Sequence, residues 1–66
     1  MPGLFGTVSL RSDHTAWDGE RVPAGASGTV VEILKDGEAY VVDIAEPFDT
    51  VATVRATELD VVVDNG

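Results

Sequence analysis

GASGTVVEILKDGEAYVVDI, residues Gly25 to Ile44, reads as a β-hairpin. Two runs rich in β-branched residues flank Asp36-Gly37. Asp-Gly suits a two-residue type I′ turn, whose two central positions both need positive φ. With that loop, Lys35 faces Glu38, and the register puts Ile33 opposite Tyr40, Val31 opposite Val42 and Thr29 opposite Ile44. Side chains alternate along a strand, so these six share one face, which is the expected core. The other face carries Val30, Glu32 and Leu34 against Ala39, Val41 and Asp43.

Upstream, Gly6 to Arg11 alternates, with Val8 and Leu10 pointing one way and Thr7, Ser9 and Arg11 the other. This predicts a half-buried first strand. Ser12 to Ala24 holds the turn formers Asp13, Asp18-Gly19 and Pro23, and predicts a long loop with Val22 folded back on the core. Two readings stand for Trp17 within it. The indole shields one end of the core, which a core this small favours, or it is exposed as an interface anchor. Gly25 and Gly28 predict a tight turn with positive φ or a close backbone approach.

Downstream, Pro47 ends the third strand, since it cannot donate to a ladder. Phe48 is expected exposed at the turn that follows. Val51 to Arg55 predicts a fourth strand. Ala56 to Leu59 is too short for a helix and suits one 3₁₀ turn, with Leu59 plugging the core. Asp60 to Val63 predicts the last strand, and Asp64 to Gly66 are expected to fray.

Together these elements predict an all-β fold, a small five-stranded SH3-like barrel with a long first loop and a 3₁₀ turn before the last strand. Residues 1–66 form one domain. The apolar first strand, Gly28-Thr29-Val30-Val31, Ala39-Tyr40-Val41-Val42 and the closing Leu59 resemble a family of small stand-alone bacterial proteins, a domain-of-unknown-function family. The likeness runs from Leu4 to about Val62. Gly25-Ala26-Ser27-Gly28-Thr29-Val30 is also similar to the KOW motif of ribosomal and transcription proteins. These resemblances imply an SH3-like fold and a small accessory or partner protein, and they supply no catalytic residues.

Twelve carboxylates face four cations, for a net charge of −8. That balance argues against a duplex nucleic acid, which calls for a basic surface, and against anionic lipid. It fits a basic protein surface, or plain solubility. Where KOW proteins are basic, this chain is acidic. No apolar run is long enough to span a membrane and no signal peptide is visible, so a cytoplasmic protein is expected. There is no cysteine to form a disulfide or a thiolate metal site.

His14, with Asp13, Asp18 and Glu20 nearby, falls short of the three or four fixed ligands a zinc site wants, and no metal or other cofactor is expected. The serines lack a nucleophile-elbow context, and a small barrel filled by its own side chains leaves little room for substrate. No enzyme is expected. The function expected is an acidic protein-binding module, a small regulatory, antitoxin or immunity-type partner. The alternatives are an accessory subunit of a larger enzyme or electron-transfer complex, or a KOW-like binder of nucleic acid or ribosome. The surface expected to bind, either a second copy or another protein, is the second hairpin face, Val30, Leu34 and Val41, with Trp17 and Phe48 at its rim.

Overall fold

The computed structural model describes residues 3–63. Seven strands and two 3₁₀ turns follow one another: β1 (Thr7–Leu10), β2 (His14–Thr15), β3 (Arg21–Val22), β4 (Ser27–Leu34), a turn at Lys35–Gly37, β5 (Ala39–Glu46), β6 (Thr50–Arg55), a turn at Ala56–Glu58, and β7 (Leu59–Val63). Five of them make one antiparallel sheet in the order β6-β5-β4-β1-β7, and β2 and β3 pair as a separate short ribbon. No ladder joins β6 to β7 among the described residues, so the sheet keeps two edges and does not close. The predicted fray at Asp64–Gly66 lies outside the described residues.

The core lies on one face of the sheet. Val8 and Leu10 of β1, Val30 of β4, Tyr40, Val42 and Ile44 of β5, Ala52 and Val54 of β6 and Leu59 of β7 all point into it. The long β1–β4 connection closes the face from above with Ala16, Val22 and Ala26. Val22 therefore folds back as expected, and the connection is not irregular throughout, since it contains the β2–β3 ribbon. Leu59 enters the core directly after the second 3₁₀ turn, also as expected.

The hairpin departs from its predicted register in an instructive way. Its loop spans Lys35 to Glu38, with positive φ at Lys35, Asp36 and Gly37 (48°, 59° and 98°), so it is a wider left-handed turn than a two-residue I′ loop. Ile33 still pairs with Tyr40. Below that pair the register shifts. Val30 faces Val42, Thr29 faces Asp43, and Val31 is the extra residue of a β-bulge. An unpaired residue inverts the phase of everything beyond it. Tyr40, Val42 and Ile44 are core, as predicted, whereas on β4 the core residue is Val30: Val31 turns outward, Ile33 near the hairpin tip is 36% exposed and Thr29 is half-buried, so the predicted β4 half of the core face is not the core.

The two glycines divide the work expected of them. Gly25 takes φ +89° in the turn before β4. Gly28 is the close approach: a Cβ there would stand against the Asp43 carbonyl oxygen and only 2.8 Å from Ile44 Cα, so β4 and β5 meet at a point where only glycine fits.

Candidate functional site

Two of the three hairpin residues of the predicted binding face, Val30 and Val41, are buried. The bulge carries Val30 into the core at 0% exposure. Val41 is 5% exposed, on the opposite side of the sheet from the core cluster, in a cross-strand row with Glu32 and Thr53. Leu34 is half-buried, opposite Ala39 near the hairpin tip. Phe48 packs against the core instead of standing free at its turn. Among the predicted five, Trp17 alone is well exposed, at 66%.

Trp17 does not shield the core either. Its backbone N–H donates to the Val51 carbonyl at 2.8 Å, and its indole Nε1–H donates to Thr53 Oγ1 at 2.9 Å. Both bonds fix it along β6, the first edge of the sheet. Beside it, Thr50 Oγ1 donates to Asp18 Oδ1 at 3.3 Å. Asp18 also turns the loop by accepting from the Glu20 N–H. The loop thus covers the β6 edge with polar contacts, and the neighbouring Ala16 is the residue that enters the core.

The other edge is different in kind. β7 pairs with β1 on one side, Leu59 opposite Leu10, Val61 opposite Val8 and Val63 opposite Thr7. The register shift between Thr7 and Val8 leaves Val62 as an extra residue and breaks the alternation. As a result Val61, Val62 and Val63 are all exposed, at 41%, 60% and 55%. Leu4 and Phe5 are exposed at the same end of the sheet. They run on from β1 beyond Thr7, and the Phe5 N–H donates to the Val30 carbonyl at 2.7 Å. That bond ties the Phe5 backbone to β4, one residue before the outward-turned Val31. Leu4, Phe5, Val31 and the three valines are thus exposed apolar residues toward the same end of the sheet, the valines on its edge strand β7 and Val31 on the interior strand β4. A concentration of apolar surface of this kind marks an interaction site more often than scattered exposed residues do.

The signal for this site was present in the chain. Val61-Val62-Val63 is an unbroken apolar run on the last strand, where a half-buried strand alternates. The exposure of Val31 was hidden, because a bulge leaves no mark in periodicity.

The charged groups are held near the start of β7 and around the loop. Arg11 pairs with Asp60 at 3.2 Å, both exposed, a contact that contributes little to stability. His14 lies with Nε2 3.0 Å from Glu58 Oε1 and Nδ1 2.9 Å from the Ser12 carbonyl oxygen, and Ser12 Oγ donates to the same Glu58 oxygen. Asp13 accepts from the Ala24 N–H at 2.8 Å and meets Arg21 at 3.7 Å. Thus His14 and Asp13 tie the long loop together, Asp18 and Glu20 lie on its β6 side, and no group of three or more His, Asp or Glu among the described residues is placed to hold a metal ion. Lys35 and Arg55 line an open groove of about 630 Å³ between the hairpin tip and the second 3₁₀ turn, with Glu38 as its carboxylate. No helix among the described residues is long and apolar enough to cross a membrane. No family model, no curated protein and no solved structure matches the chain.

Proposed function

We propose that this chain is a non-enzymatic, acidic protein-binding module of SH3-like build, a small regulatory, antitoxin- or immunity-type partner protein, and that it binds through its β7 end. The observation that carries the reading is the exposure of Val61, Val62 and Val63 on β7, an edge with no second ladder among the described residues, with Leu4 and Val31 exposed toward the same end of the sheet. The strand order β6-β5-β4-β1-β7, in which the last strand returns to the first, supports the SH3-like part of the proposal. So does the 3₁₀ turn that delivers β7 to β1. An apolar centre supplies affinity, while the surplus of carboxylates speeds encounter with a basic partner and excludes acidic ones.

The test is affinity capture from cells, comparing the natural chain with Val62→Lys and, as a control on the covered edge, Thr53→Lys. A partner retained by the control and lost with Val62→Lys supports the reading. A partner bound equally by all three, or lost only with Thr53→Lys, contradicts it.

A further inference from the structure

We infer that β7 accepts an extended, lysine- or arginine-bearing segment of a partner protein as an added β-strand. This rests on the β7 end being the binding surface and adds how it binds and what it selects. In a sheet, successive residues direct their N–H and C=O groups to alternate neighbours. Among the described residues β7 has a neighbour, β1, on one side only, so about half of its backbone groups face outward without a described ladder. Proteins blunt such edges with charges, proline, bulges or a covering segment. At β6 the loop does this through Trp17 and Asp18. β7 contains neither lysine nor proline; Asp60 at its start is paired with Arg11 and the bulge at Val62 interrupts the ladder to β1 without covering the outer side, and its last three residues are exposed valines. A chain that protects one edge and leaves the other apolar and unpaired has the form of a strand acceptor, in which backbone bonds give affinity and alternate side chains give selectivity.

Charge decides between the two occupants that an apolar edge can take. A second copy would bring another net −8 against the first, each carried on a body of only 27 × 21 × 17 Å. Asp60, the one carboxylate of β7, is offset by Arg11, while Glu32 on β4 stands exposed beside Val31, so the surplus of carboxylates over cations is carried by the body of the chain around this edge. A segment of alternating apolar and basic residues meets the valines with one set of side chains and this field with the other.

The experiment titrates isotope-labelled protein with a short synthetic peptide of alternating valine and lysine. Two comparison peptides replace lysine by glutamate, or carry backbone N-methyl groups along one edge. The expected result is resonance shifts confined to β7, Thr7 and Phe5, with amide exchange in β7 slowed by about tenfold or more. Binding is weaker by a similar factor for the acidic peptide and lost for the N-methylated one. Shifts centred on Trp17 and Thr53, or no binding at about 1 mM peptide, overturn the inference. Equal binding of the N-methylated peptide that is lost with Val62→Lys overturns strand addition while leaving the β7 end as the binding surface. Peptide binding unaffected by Val62→Lys overturns both. Self-association through β7 without peptide, seen as a mass that rises with concentration, assigns the edge to a second copy and overturns the choice of a basic partner.

Discussion

The two edges of this sheet solve the same problem in opposite ways. Each leaves backbone groups without a neighbour strand. At β6 the long loop comes alongside, with its Trp17 amide on the Val51 carbonyl and its indole on Thr53. Behind this row Val41 is 5% exposed even though it lies on the side of the sheet away from the core cluster. At β7 a bulge breaks the alternation and three consecutive valines stay in solvent. The difference teaches that burial here follows position in the sheet, not hydrophobicity: Val41 on the interior strand β5 is 5% exposed and Val62 on the edge strand β7 is 60% exposed.

Four substitutions break or sharpen this contrast, from the largest expected effect to the smallest. Gly28→Ala attacks the seam that both edges depend on. Its Cβ meets β5 backbone, which cannot swing aside as a side chain would, so a loss of about 3 kcal/mol or more is expected in chemical denaturation. Val41→Glu places a carboxylate in a buried position, beside Glu32 on the neighbouring strand, and is expected to cost about 2–3 kcal/mol, or to unfold the chain outright. A Val41→Glu protein that melts like the natural one would show the β6 side to be as open as the β7 side. Trp17→Ala removes two-thirds-exposed area and the bond to Thr53 but keeps the backbone bond to Val51. Its expected cost is about 1 kcal/mol, or a melting temperature lower by about 4–8 °C. Val62→Lys, on the open edge, should change stability by no more than about 0.5 kcal/mol. A large loss there would mean that the valines are packed against something and are not available to a partner.

How much of this was legible beforehand depends on the kind of signal. β1 was plain from the alternation of Thr7 to Arg11, and β5 from that of Tyr40, Val42 and Ile44. The positions of Leu59 and Val22 followed from an apolar residue closing a polar stretch. The phase of β4 was not legible, because the bulge at Val31 adds one residue without any glycine or proline to mark it, and Val30-Val31 offers a valine to the core in either phase. That one residue moved Val30 from the expected binding surface into the core. Phe48 lies against the core and Trp17 stays exposed, the second of its two readings, for a different reason. Which of two aromatics lies over a core depends on the path of the loops, and the hydrogen bonds from Trp17 to β6 are long-range contacts that local pattern does not encode. The valines of β7 could have been found, since a run of three at the end of an antiparallel sheet has no second layer to enter.

Residue-resolved amide hydrogen exchange of the free protein tests the contrast most directly. The account predicts a slowly exchanging Trp17 amide, held on the Val51 carbonyl, and rapid exchange at those β7 amides that face away from β1. Rapid exchange at Trp17 together with uniform protection along Leu59 to Val63 would contradict it, because it would mean that the uncovered edge of this sheet is β6 and that β7 is already paired.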